Sequence, residues 1–138
     1  MSGNASYAAQ HCSVSASTMS FPPYDIFETA PVHSQADISV LCEQNLLYSI
    51  KVSSGLNASG DFSRRQMNSL SDNSALFYNL FLDSGYSRIW GDGTGFSEFY
   101  SGSGQGRPEI IRIFGRIMPT QKVSAGTYSD SVVISIEW

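Results

Sequence analysis

The side chains that could act as a base near neutral pH are His11 and His33. A hydrolytic Ser/His/Asp set would place one of them beside an activated serine. Neither lies near a Gly-x-Ser-x-Gly elbow, and serine is too abundant for its proximity to carry information. Both read as ordinary surface or loop histidines. Glycoside chemistry needs two carboxyl groups facing one cleft. Asp83, Asp92 and Glu98 share a loop-rich stretch, but their spacing fixes no such geometry, and they read as solvated loop acids. "WGDGTG" lacks the alternating ligands and terminal Glu of a calcium loop. "GSGQG" has the glycines of a phosphate cradle without the Lys-Ser/Thr pair or a following helix. The expectation is a protein with no catalytic residue, no metal site and no cofactor, and not an enzyme.

Two other groups carry more. Cys12 and Cys42 sit in neither a CxxC nor a Cys/His ligand spacing, which disfavours a metal. One disulfide formed in an oxidising compartment is preferred over two free buried thiols. Such a bridge would stabilise the fold by about 3–4 kcal/mol in the chain-entropy account. The second group is aromatic: Trp90, Phe96, Phe99 and Tyr100 lie in or beside a Gly-rich loop. Exposed, they would form a surface-contact loop able to stack on sugars; otherwise they cap one end of the core. Two N-x-S sequons, at Asn4 and Asn57, would mark surface loops.

The elements that must hold these residues are strands. At 138 residues the chain is long enough for one domain with a real core. It is 41% hydrophobic and only 14% charged, against about a quarter charged in ordinary domains. Serine and glycine supply much of the remaining surface, which suits a secreted β protein. The net charge is −4 and no stretch concentrates Lys or Arg, so nucleic acid and anionic membranes are poor partners. No run of about 18 apolar residues is present, so no membrane-spanning helix is expected. No signal-peptide core is visible, although Ser6-Tyr7-Ala8 has the small-x-small form of a cleavage site.

Period-2 alternation dominates. Cys12, Val14 and Ala16 share one face, then Pro22-Pro23 forces an extended turn. Ile38, Val40 and Cys42 align, as do Leu46, Tyr48, Ile50 and Val52. Both cysteines thus fall on apolar parities, where a bridge between neighbouring strands would be buried. A short strand is expected near residues 65–67. "ALFYNLFL" reads as a central strand covered on both sides, or a strand with one aromatic face. Residues 83–108 read mostly as loop. Ile111, Ile113 and Ile117 oppose Arg112, Phe114 and Arg116, with Gly115 marking a bulge or a close approach. "GTYSDSVVISIEW" is the most strand-like segment. Six or seven short strands without a helix predict an antiparallel all-β sandwich.

These segments, in order, resemble the spore coat protein U-like (secreted pili) domain family. The resemblance rests on "CSVSAS", "FPPYDIF", "ISVLC", "RRQM", "ALFYNLFLD", "IWGDG", "IFGRI" and "GTYSDSVVISIEW", from about Cys12 to Trp138. It divides the chain into an N-terminal extension or partial donor strand, residues 1–11, and a pilin domain, residues 12–138. It implies an immunoglobulin-like sandwich that is incomplete and lacks its final strand. The missing strand would be lent by a periplasmic pilus chaperone. At the outer-membrane usher it would be replaced by the N-terminal extension of a neighbouring pilin subunit.

On that resemblance the donor-strand groove is lined by Val14, Ala16, Val132, Ile134 and Ile136. Gly126, Tyr128 and Asp130 form a structural corner, with the Tyr128 hydroxyl tying it down and Asp130 acting as a local acceptor. The implied function is structural: a subunit of a secreted archaic chaperone–usher fibre, passing through the periplasm and serving adhesion or biofilm formation. The alternatives are a tip adhesin-like binding module that uses the aromatic loop, or a spore or cell coat protein. The chain departs from the pattern at Pro22, where the family has Gly. Before Cys12 only Ala5, Tyr7 and Ala9 alternate, and two of these are small. A weak donor, a trimmed donor and a subunit that only accepts a strand all remain open.

Overall fold

A computed structural model of the protein describes residues 11–138. The expected partial donor strand with Ala5, Tyr7 and Ala9, the Ser6-Tyr7-Ala8 triplet and the Asn4 sequon lie outside the described residues. Nine described strands follow in order: β1 (Cys12–Ala16), β2 (Val32–Cys42), β3 (Leu47–Val52), β4 (Gln66–Ser69), β5 (Ala75–Phe81), β6 (Tyr100–Ser103), β7 (Glu109–Ile117), β8 (Tyr128–Ser129) and β9 (Ile134–Glu137). One short 3-10 turn, Phe62–Arg64, precedes β4. Every ladder between these strands is antiparallel. A six-stranded sheet has the order β1-β2-β7-β5-β4-β8, and a three-stranded sheet the order β9-β3-β6.

The core lies between the sheets because alternation points one parity of each strand inward. Ile38 and Val40 of β2, Leu76 of β5 and Ile113 and Ile117 of β7 meet Ile50 and Val52 of β3. On β5, Leu76, Tyr78 and Leu80 face this core, while Phe77 turns outward and is partly exposed. The expected all-β antiparallel sandwich is therefore formed. It has more strands than six or seven because "GTYSDSVVISIEW" is not one strand. Tyr128–Ser129 pairs with β4 in one sheet, and Ile134–Glu137 pairs with β3 in the other. A further short strand, β6, falls within the Gly-rich stretch read as loop.

Cys12 and Cys42 stand opposite each other in the first register position of β1 and β2 and are joined by a disulfide. Their Cα atoms are 4.1 Å apart, close to the spacing of a non-hydrogen-bonded antiparallel pair. Gly115 marks a close approach and not a bulge. The β2–β7 register runs through it unbroken, and any side chain there would collide with Met19 and Phe21.

The turn joining β4 to β5 is fastened by Asp72. Its carboxylate accepts the Ser74 amide (2.8 Å) and the Ser124 hydroxyl (2.8 Å), joining the hairpin to the loop before β8. These bonds, from Ser74 first, hold its pKa down at about 2. The contribution to stability is complete above the ordinary carboxylate range, near pH 4. It is lost as pH falls through about 2. Asp72→Asn should therefore flatten the acid limb of stability between these values. Melting curves of both proteins from pH 5 to pH 2 check this; parallel limbs would assign the acid loss to other carboxylates.

Candidate functional site: an open slot between the sheets

β1 and β9 come close to one another, one from each sheet. Among the described residues each has a single ladder partner, β2 for β1 and β3 for β9, so the sheets do not join along this side. A cleft of about 690 Å³ opens there. One wall is the segment after β1. The chain leaves the sheet at Ser17, whose amide donates to the Asp37 carbonyl (3.0 Å), and then crosses the core. Met19 and Phe21 pack down over Gly115, and the Phe21 ring meets Tyr78 edge-on at 6.4 Å. Tyr24 ends this wall, its hydroxyl donating to the Met118 carbonyl and accepting the Gln121 amide, each at 2.9 Å. Core side chains form the floor, among them Met67, Leu76 and Ile117. These floor residues are themselves buried, and the apolar area that the cleft leaves to water comes from its half-buried margin, Val132 and Ile134 among it.

The other wall is the C-terminal segment, and polar groups aim it. The Tyr128 hydroxyl donates to the Ser124 carbonyl (2.5 Å), four residues upstream, as a tyrosine corner does. Gly126 lies on the rim of the cleft. Asp130 is an acceptor, but its partners are distant in the chain and not local. Its carboxylate takes the Tyr78 hydroxyl (2.5 Å), the Leu56 amide (3.0 Å) and the Asn57 side-chain amide (3.1 Å). Gly55 permits this approach, having a left-handed φ of 91° and no side chain where the carboxylate sits. Burial, then the Asp130 carboxylate, raises the pKa of Tyr78, so its hydroxyl stays a donor. Beyond the corner the Val133 amide donates to the Ser53 hydroxyl (2.8 Å), and the chain enters β9.

Of the expected groove residues, Ala16, Val132 and Ile134 line the cleft. Val14 and Ile136 are half-buried against the core further along β1 and β9. Four of the five thus lie on β1 or β9, the facing edge strands, and Val132 lies in the segment that leads into β9.

The four aromatics of the proposed contact loop separate. Trp90 is fully buried, and its indole N–H donates to the Ile50 carbonyl (2.9 Å). Tyr100 belongs to β6 and packs on Trp90 and Tyr48 at 6.1 and 6.2 Å between ring centres. Trp90 is thus a core residue with no face for a surface ligand, and Tyr100 covers it. Phe99 is partly exposed beneath the Lys51 ammonium, and Phe96 is 90% exposed. The loop acids are spent on local structure. Asp83 accepts the Ser87 and Arg88 amides, Asp92 caps Thr94, and Glu98 pairs with Arg88. Among the described residues no cluster of acids, histidines or cysteines could hold a metal ion.

One residue was overlooked in the sequence. Arg65 is fully buried, and its guanidinium donates to the Ser53 carbonyl (2.6 Å), the Trp90 carbonyl (2.7 Å), the Val52 carbonyl (3.3 Å) and Asn79 Oδ1 (2.8 Å). It joins the end of β3 to β5 and the Trp90 loop, behind Tyr78 and Asp130. Alternation carried a signal for it: Arg65, Met67 and Ser69 are one parity, and all three are buried.

The geometry defines a class: an all-β sandwich whose two sheets, over the described residues, stop short of each other and leave a cleft that reaches down to the core. Residues 4–135 match the Spore Coat Protein U domain, and the chain belongs to that family. Its fold is similar to that of a chain in the crystal structure of the CsuC–CsuE chaperone–tip adhesion subunit pre-assembly complex from archaic chaperone–usher Csu pili of Acinetobacter baumannii. The TM-score is 0.68 at 24% identity, over 94% of this chain and 40% of that one, so this chain spans less than half of its length. No curated protein sequence matches the chain.

Proposed function

We propose that the protein is a structural subunit of a secreted chaperone–usher fibre, and that the slot between β1 and β9 receives a β-strand from another chain. The observation that carries this reading is the slot itself. Two strand edges flank a cleft floored by the hydrophobic core, and apolar side chains at alternate positions of the C-terminal segment line it. A docked strand would gain main-chain pairing from the edges and side-chain pockets from the floor. Membership of the family and the fold shared with a pilus subunit support the reading. The first occupant is a strand of a periplasmic chaperone, and its replacement is the N-terminal extension of the next subunit, exchanged at an outer-membrane usher. The resulting fibre would serve adhesion or biofilm formation. A second reading, a contact module at a fibre tip, is favoured by one observation, the 90% exposure of Phe96 on its loop.

A ten-residue peptide that alternates large apolar and polar residues tests the first reading. Saturation to about 100 times Kd stabilises the occupied form by about 2.7 kcal/mol. At this chain length that raises Tm by about 10 °C. A peptide of the same composition without alternation should leave Tm unchanged. Equal responses to both peptides, or none to either, would sink the open-slot reading.

A further inference from the structure

A second cleft, of about 370 Å³, lies away from the slot on the outer face of the six-stranded sheet. Phe77, Phe81, Tyr86 and Arg116 line it, with Ser63 and Ser87 at its margin. Arg116 is half-buried, and its guanidinium lies over two rings, 5.2 Å from the centre of Phe81 and 5.0 Å from that of Tyr86. Among the described residues that guanidinium has no hydrogen bond and no ion pair, and the first ten residues contain no acid that could supply one. Its neighbours on the surface differ: Arg112 pairs with Asp37, and Arg88 with Glu98. A second arginine, Arg64, lies 5.6 Å over the Phe77 ring; among the described residues it makes no close ion pair, although Asp61 is near enough to feel its charge. A half-buried cation is costly to leave without a counter-charge, so an anion would be favoured here.

The rings are also held in place. Tyr86 has a left-handed φ of 57°, a conformation uncommon for a residue with a side chain. The turn that imposes it is tied by Asp83, whose carbonyl accepts the Tyr86 amide and whose carboxylate accepts those of Ser87 and Arg88. The Tyr86 ring stacks on His33 at 4.5 Å and meets Phe81 edge-on at 5.6 Å. Backbone strain retained to fix an aromatic beside an unpaired guanidinium indicates a preorganised site.

We propose that this cleft binds a carboxylate-bearing sugar, such as a uronic acid residue of an acidic glycan. The guanidinium fork takes the carboxylate through paired N–H bonds. The apolar C–H face of the pyranose lies on Phe77 and Tyr86, the two rings of the cleft that keep some exposure, and its hydroxyls donate to the Ser63 and Ser87 oxygens, whose own protons go to Asp61 and Asp83. A uronic acid carries the charge and the apolar face on one rigid ring, so both contacts form with little ordering cost. An acidic peptide would have to order several rotors to do the same.

The test is titration of the purified full chain, followed by amide NMR, with three probes: a galacturonic acid trisaccharide, the corresponding galactose trisaccharide, and a Glu-Glu-Glu peptide. The acidic sugar should move the resonances of Tyr86, Ser87 and Arg116, and more weakly as salt rises. The neutral sugar and Arg116→Gln should each bind about tenfold or more weakly, the loss expected for a charge-assisted hydrogen bond. Arg64→Gln, on the exposed 3-10 turn, should bind about two- to threefold more weakly, as for an exposed charge. Should Arg116→Gln fail to fold, the comparison of sugars and the Arg64 variant still decide. Equal affinity for both sugars, unchanged affinity in the variants, shifts located elsewhere, or tighter binding of the peptide would each overturn the proposal.

Discussion

Replacing Arg65 by Met should cost about 3 kcal/mol or more, because several buried acceptors lose their donor at once and each one left unsatisfied costs about 1–3 kcal/mol. That is a large share of the 5–15 kcal/mol that holds a typical domain together. Burial lowers the pKa of Arg65 to about 10, so the group is still a cation at neutral pH. Its charge is spread over carbonyls from Val52, Ser53 and Trp90 and over the Asn79 side chain. Met would fill the volume and leave these acceptors facing an apolar wall, each losing its charged donor. Lys would keep the charge but present a compact ammonium in place of the planar fork, reaching fewer of the four. Urea unfolding should therefore rank wild type above Arg65→Lys, and Arg65→Lys above Arg65→Met. A Met variant within about 1 kcal/mol of wild type would mean that packing alone sustains this end of the sandwich.

Much of this arrangement was legible because it depends on parity. Ile38, Val40 and Cys42 on β2 and Tyr48, Ile50 and Val52 on β3 sit inward as a period of two requires. The same parity placed both cysteines where a cross-strand bridge could form. What stayed hidden depends on contacts between distant segments. Nothing local in "SDSV" says that the chain changes sheets there; the change is set by Asp130, which is held by Tyr78, Leu56 and Asn57. Trp90 lies among glycines, a loop-like context, yet Gly91 lets the chain pass so close to Phe62 and Ser97 that the indole can enter the core. Arg65 and Arg64 are adjacent, and only the alternation toward Met67 distinguishes the buried one. The segments that carry the family resemblance, "RRQM", "ALFYNLFLD", "IWGDG" and "GTYSD", are far apart in the chain. Arg65, Tyr78, Asn79, Trp90 and Asp130, one or two from each, form one hydrogen-bonded network behind the slot. The Tyr78–Asp130 bond reaches the C-terminal wall, while Arg65, Asn79 and Trp90 tie β5 to the end of β3.

The opposite wall depends on the disulfide, so removing it should affect more than overall stability. β1 is five residues long and, among the described residues, has one ladder partner. Cys12 and Cys42 fasten the start of that ladder, and Ala16, at its other end, already borders the slot. Cys12→Ala/Cys42→Ala should cost about 3–4 kcal/mol through the unfolded chain alone. It should also let β1 detach at a free energy below that of global unfolding, because a short edge strand with one neighbour frays first. Hydrogen exchange at Ser13, Val14 and Ser15 should then accelerate more than exchange in β5 or β7. If the slot takes a strand as proposed, the alternating peptide should bind the variant more weakly at a temperature where both proteins are folded, since one of its two pairing edges would be loose. If the variant melts early but binds the peptide as tightly as wild type, the bridge serves stability alone. In that case β9 and the Asp130 anchor define the docking edge without β1.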